Sequence, residues 1–192
     1  AHFDRLLTAM LVAPDQPLET LPLLTPAEEE RILVTWNDTA TPYPADAPLA
    51  ALFEAQATRV PRKVAVSFPE GELTYAQLND RANKLAHYLQ QRGAGRNSII
   101  AIYLERSLDM IVSILAIIKA GGVYMPLDVS YPAERIAFML ADSQAPLLIS
   151  RAHLAAQLLP HRSALIDLES EAAAIDAAVV AAGNSNNPNC QT

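Results

Sequence analysis

Apolar residues along this chain fall first at helical spacing and then into short blocks. Phe3, Leu6, Leu7, Met10 and Leu11 form one helical stripe over residues 1–13, and Pro14 stops it. Residues 14–22 hold three prolines and read as an extended connector. Thr25-Pro26-Ala27-Glu28 supplies an N-cap, a first-turn proline and an acid at the third helical position, which together make a capping box. The short helix that follows carries Ile32, Leu33 and Trp36 and ends near Asn37-Asp38. Three more prolines in 39–48 loosen the chain again, and we place a boundary there.

Beyond that boundary helices alternate with short apolar strands. A helix over 48–59 carries Leu49, Leu52 and Phe53 and stops near Pro61. Residues 63–68 are a β-branched strand, and Pro69-Glu70-Gly71 turns the chain into Leu73. Thr74 caps the next helix with Gln77 at N3; its inward face is Leu78, Ala82, Leu85, Ala86 and Leu89, and Gly93 ends it. Residues 98–104 are apolar on both faces, as in a strand covered by helices on both sides. Then follow a helix at 107–120, a strand at 123–127, a helix at 132–142 and a strand at 146–150. A weaker helix at 151–158 and a last strand at 164–168 complete the pattern. Such alternation predicts an α/β fold with a mainly parallel sheet flanked by helices, preceded by a helical linker. Residues 184–192 are polar and predict a disordered tail.

Composition narrows the partners. A chain of 192 residues, 51% apolar and 18% charged, is globular. Net charge −7 disfavours nucleic acid and anionic membrane as partners. The longest apolar run, 110–118, is far short of the roughly 20 residues that span a bilayer. The N-terminus has no basic lead and does not read as a signal peptide. The lone Cys190 can form no intramolecular disulfide and fits a reducing, cytoplasmic setting.

Candidate chemistry is sparse. Gly93-Ala94-Gly95 follows a helix rather than a strand and reads as a helix end, not a dinucleotide fingerprint. Gly121-Gly122 is not followed by Lys-Ser or Lys-Thr, so it is no Walker loop. His2, His87, His153 and His161 lack metal-ligand spacing, no Gly-x-Ser-x-Gly elbow exists, and Glu28-Glu29-Glu30 suits a helix first turn. Lys119 reads as a cation at a helix C-terminus, and Asp128 as a loop acid accepting backbone N–H bonds. We therefore expect no catalytic, cofactor-binding or metal-binding residue within the chain.

Residues 117–136 read Ile-Ile-Lys-Ala-Gly-Gly-Val-Tyr-Met-Pro-Leu-Asp-Val-Ser-Tyr-Pro-Ala-Glu-Arg-Ile. This resembles a signature of the amino-acid adenylation domains of non-ribosomal peptide synthetases, members of the acyl-adenylate-forming superfamily. The stretches Leu52-Phe53-Glu54-Ala55-Gln56-Ala57, Leu73-Thr74-Tyr75-Ala76-Gln77-Leu78-Asn79, Glu105-Arg106-Ser107 and Phe138-Met139-Leu140-Ala141-Asp142-Ser143 are similar to that family in the same order. His2-Phe3, Leu6-Leu7, Leu21-Pro22-Leu23-Leu24-Thr25 and Trp36-Asn37 resemble the end of a condensation domain and the linker behind it. Departures are small: Gln77 stands where the family has Glu, Val129 where it has Pro, and Ala50 where a His is common.

The resemblance implies four segments: 1–24 a condensation-domain tail, 25–47 a linker with a short helix, 48–183 the N-terminal part of an adenylation domain, and 184–192 the tail. It implies a parent that activates an amino acid with ATP and Mg²⁺ and loads it on a phosphopantetheine carrier for secondary-metabolite peptide synthesis. The family's Ser/Thr/Gly-rich phosphate loop does not occur among these residues, so the fragment alone is expected to be inactive. The family-motif residues Leu73, Thr74, Tyr75, Leu78, Lys119, Ala120, Gly121, Gly122, Tyr124, Pro126, Asp128, Tyr131, Pro132 and Arg135 are read as structural. Implied partners are the rest of the adenylation domain and the adjacent condensation domain. The alternatives are a non-catalytic α/β interaction module derived from such a domain, and a complete small enzyme of another α/β type.

Overall fold

The computed structural model describes residues 1–182, and the expected polar tail at 184–192, with Cys190, lies outside the described residues. The chain divides into two compact units, 1–46 and 47–192, and the divide falls in the proline-rich stretch 39–48.

The first unit contains α1 (His2–Val12), α2 (Pro26–Leu33) and two 3₁₀ turns at Leu18–Thr20 and Thr35–Asn37. Thr25 Oγ1 accepts from the Glu28 amide at 3.1 Å while Glu28 returns a carboxylate oxygen to the Thr25 N–H at 2.8 Å, so the capping box forms. His2 Nε2 lies 3.0 Å from Glu28 Oε1 and ties α1 to α2. The apolar side chains of this unit are only partly covered: Phe3, Leu11 and Trp36 are all exposed, Trp36 by 66%.

The second unit opens with α3 (Leu49–Arg59). It buries Ala50 and Ala57 and leaves Leu49 and Leu52 largely in solvent, so small residues, not the leucines, form its close-packing face. β1 (Val64–Phe68) and β2 (Gly71–Thr74) then pair as an antiparallel hairpin, a sheet of their own. α4 (Tyr75–Gln91) begins at Thr74, which caps the Gln77 amide at 3.3 Å. Gly93 at φ 92° ends it, where a left-handed residue lets Ala94 N–H reach the Leu89 carbonyl at 2.9 Å.

Next come β3 (Ile99–Tyr103), α5 (Leu108–Lys119), β4 (Val123–Pro126), α6 (Ala133–Ser143), β5 (Leu147–Ser150), α7 (Ala152–Ala155), β6 (Ala164–Asp167) and α8 (Ala172–Ala182). The four strands β3 to β6 form one sheet, all parallel, in the order β4-β3-β5-β6. The expected helix at 151–158 shortens to α7. The sequence pattern does not predict α8, because its run of alanines has no helical stripe to read.

The core lies around the central strands. Ile100, Ile102, Leu148, Ile149 and Ile166 are fully enclosed. Each such side chain contributes about 1.5–3 kcal/mol from leaving water. α4 packs on both α5 and α8. Tyr88 and Arg92 of α4 hold the entry to α8 through Glu171: Arg92 donates to Glu171 at 2.8 Å and to the Tyr88 hydroxyl at 2.7 Å, and Tyr88 donates to the same carboxylate. No helix among the described residues is long and apolar enough to cross a membrane.

Candidate functional site

The sheet order fixes where a ligand crevice can form. From β3 the chain passes through α5 to β4 on one side, then returns through α6 to β5 on the other side of β3. Connections therefore diverge between β3 and β5, and a crevice opens beyond their carboxyl ends, where open parallel α/β sheets take their ligands. It measures about 240 Å³ and is lined by Glu70, Glu105, Arg106, Ser107, Arg151 and His153.

Each element reaches this place for a local reason. Ser150, the last residue of β5, is buried and donates to the Tyr103 carbonyl at 2.7 Å, which stitches the two strand ends together. Ser107 caps α5 by accepting from the Met110 amide at 3.3 Å. Glu70, at the tip of the β1–β2 hairpin, accepts from the Leu108 amide at 3.1 Å, so a side chain of the protein occupies the positive end of α5. Asp109 bridges two arginines, Arg81 at 2.9 Å and Arg151 at 2.6 Å. That carboxylate is the main cause holding the Arg151 guanidinium above its usual range.

Asp167 at the end of β6 plays the same part for the next turns. It accepts from the Ser170 hydroxyl at 2.6 Å and from the amides of Ala152, Glu169 and Ser170. The Ser170 hydroxyl bond, followed by the amides, holds its carboxyl below the usual range against the opposing effect of burial. Glu70, Asp109 and Asp167 are thus all committed to partners within the chain. The crevice is an electrostatic hub that locks hairpin, strand ends and helices, and it leaves no free set of carboxylates for a cation among the described residues.

The family-motif residues of the sequence lie elsewhere, and two of them, Tyr75 and Lys119, meet at Phe53. Leu73 and Leu78 are buried, Thr74 caps α4, and the Tyr75 ring sits 5.9 Å from Phe53. Lys119 ends α5, but not as a solvated cation: its side chain is wholly buried, ion-paired with Glu54 and 5.9 Å above the Phe53 ring. Ala120 is buried, and Gly121 (φ 83°) and Gly122 close α5, with Gly122 N–H on the Ile117 carbonyl at 2.9 Å. Tyr124 and Pro126 lie on the edge strand β4. Asp128 accepts from the Ser130 amide at 2.8 Å, a bond that lowers its pKa. Tyr131 carries the Arg135 guanidinium 4.1 Å above its ring, and Pro132 caps α6. Sequence reasoning does not single out Glu70, Asp109, Ser150, Arg151 and Asp167. Asp109 has its arginine partners, Arg81 and Arg151, 28 and 42 residues away in the chain.

A sheet whose connections reverse at β3, with a crevice at that point, has the layout of a ligand-binding parallel α/β fold. Comparison makes this specific: residues 53–189 match the family described as AMP-binding enzyme, and the chain belongs to it. Its relatives include chondramide synthase cmdD of Chondromyces crocatus, 42% identical over 92% of this chain and 5% of that protein. Tyrocidine synthase 3 of Brevibacillus parabrevis is 44% identical over 82% of this chain and 2% of its own length. Among solved structures, the non-ribosomal peptide synthetase FmoA3 with AMPPNP bound superposes with TM-score 0.67 at 26% identity, covering 88% of this chain and 19% of that one. The Klebsiella oxytoca NpsA N-terminal subdomain gives TM-score 0.60 at 26% identity over 64% of this chain and 31% of the other. The chain therefore corresponds to AMP-binding sequence of a peptide-synthetase adenylation domain, and it spans 5% or less of the length of these two curated relatives.

Proposed function

We propose that this chain is the N-terminal scaffold of an amino-acid-activating adenylation domain. Its parent joins an amino acid to ATP as aminoacyl-AMP, releasing pyrophosphate, and passes the aminoacyl group to a phosphopantetheine thiol in the cytoplasm. Residues 1–24 and 25–47 fit a condensation-domain tail and its linker, which would make that domain and the rest of the adenylation domain the chain's partners.

The observation that carries the reading is the state of the crevice. Glu70 takes the α5 amide, and Asp109 engages Arg81 and Arg151, so Arg106 is the one guanidinium lining the crevice without an ion-pair partner among the described residues. A triphosphate needs several free backbone N–H groups and a cation, and the six glycines of this chain are scattered. The carboxylates of Glu70 and Asp109 are likewise engaged by groups of the chain itself. What these residues do is hold β3, β5 and their helices rigid, so that groups supplied by the parent meet at a fixed distance.

The 192-residue chain should show no amino-acid-dependent ATP–pyrophosphate exchange above a heat-inactivated control. Extension through the phosphate loop and the remainder of the domain should bring exchange with it. Exchange by the short chain itself would mean that a catalytic site lies within these residues.

A further inference from the structure

At the amino-terminal end of the same sheet a wider cleft, about 650 Å³, opens between α6 and the segment leading into β6. Leu140 and Ala141 of α6 together with Pro146 give it apolar walls, and its polar groups include Gln144, His161 and Arg162. No carboxylate lines it, whereas Glu70 and Glu105 line the crevice at the other end of the strands. Volume and lining match those of small-molecule sites, which are mostly apolar with a few placed polar groups.

Each polar group presents a donor. Arg162 has no acid within ion-pairing distance among the described residues, unlike Arg81, Arg92 and Arg151. His161 Nδ1 is sealed from solvent without a hydrogen-bond partner. With Nδ1 enclosed, Nε2 is the ring nitrogen left to meet a guest. Gln144 sits at φ 52°, a left-handed position that Gly or Asn occupies at less cost.

Apolar walls, a lone unpaired guanidinium and no acid define one kind of guest. We propose that this cleft binds a small apolar monocarboxylate, its hydrocarbon body over Leu140, Ala141 and Pro146 and its carboxylate on Arg162, seconded by the His161 and Gln144 donors. The site is separate from the strand ends where activation is proposed, and it does not depend on that reading.

Octanoate, 1-octanol and octylamine would be titrated into the ¹⁵N-labelled 192-residue chain, with calorimetry alongside. Octanoate should bind saturably with amide shifts concentrated in 137–146 and 160–163. Octanol should bind at least about tenfold more weakly, for want of the charge-assisted contact, and octylamine should not bind. Arg162→Glu, at an exposed position, should weaken octanoate by at least about tenfold, and Ala141→Trp, also exposed, should block the cleft. Cooperative thermal unfolding of both variants would confirm that they fold. Equal affinity for octanoate and octanol, shifts outside the cleft, full affinity in Arg162→Glu, or no saturable octanoate binding would each overturn the proposal.

Discussion

Lys119 shows how much one side chain can carry. It is fully enclosed, and its partner Glu54 keeps some contact with water. Lys119→Met would strand that carboxylate beside the core. We expect a loss of about 3 kcal/mol, the low end for breaking a buried pair, seen as a lowered midpoint of thermal unfolding. Adding Glu54→Leu should recover most of it, because an apolar pair of similar volume avoids burying charge. Glu28 makes the complementary case at the surface. Its pKa falls from the ordinary 4.5 to about 2, first because the Thr25 amide and then because His2 hydrogen-bonds its charged form. The folded value lies below the unfolded one, so its contribution is complete above pH 4.5 and is lost as the pH falls toward 2. An NMR titration of the Thr25 amide should show a midpoint near 2; one near 4.5 would mean that the capping box is not formed in solution. At this scale the sequence is legible only locally. Thr25–Glu28 and Thr74–Gln77 can be read from spacing, because both partners sit within one helical turn. Lys119 with Glu54, and Asp109 with its arginines, cannot, because folding alone brings them together.

The elements themselves are more open to reading where a cap or a glycine marks them. Gly122 is required by space: a Cβ there would meet the Ser98 carbonyl oxygen at 3.0 Å and Ile117 Cγ2 at 3.1 Å. Gly122→Ala should therefore cost about 1–3 kcal/mol. Gly95, with nothing within 4 Å of the same construction and no left-handed φ, should accept Ala with no loss, or a gain of up to about 1 kcal/mol. Chemical denaturation of the two variants measures both. β4 shows a different economy. Val123 donates to Ser98 and Leu127 to Ile102, each at 2.8 Å, so alternate residues face β3 and the outward N–H belongs to Tyr124. The next outward position is Pro126, which has none, and Gly122 spends its own on the Ile117 carbonyl. The strand edge is apolar yet makes a poor template for pairing. α8 is the element hardest to read, since alanines dominate its sequence and a single methyl gives no amphipathic contrast.

For the whole molecule, the alternation of helices and strands is enough to expect the parallel sheet, but not its order. A regular pattern of β and α is equally compatible with strands laid down in sequence; the reversal at β3 depends on which side α6 crosses. The unit boundary has a visible cause in the prolines of 39–48. The unit from residue 47 onward contains its own core of enclosed residues. Removing 1–46 should thus leave its far-UV circular dichroism per residue and its cooperative unfolding essentially unchanged. A collapse of that transition would show that the two units share one core. The central place of β3 also sets an order in time. It is the first strand of its sheet to leave the ribosome, and both of its neighbours, β4 and β5, are made after it. A nascent chain can lay β4 against β3 soon after α5 is complete, but the opposite flank of β3 must wait for α6 and β5. During that interval Ile100 and Ile102 sit on a half-built sheet, so this stretch of translation is when the chain most needs a chaperone's cover.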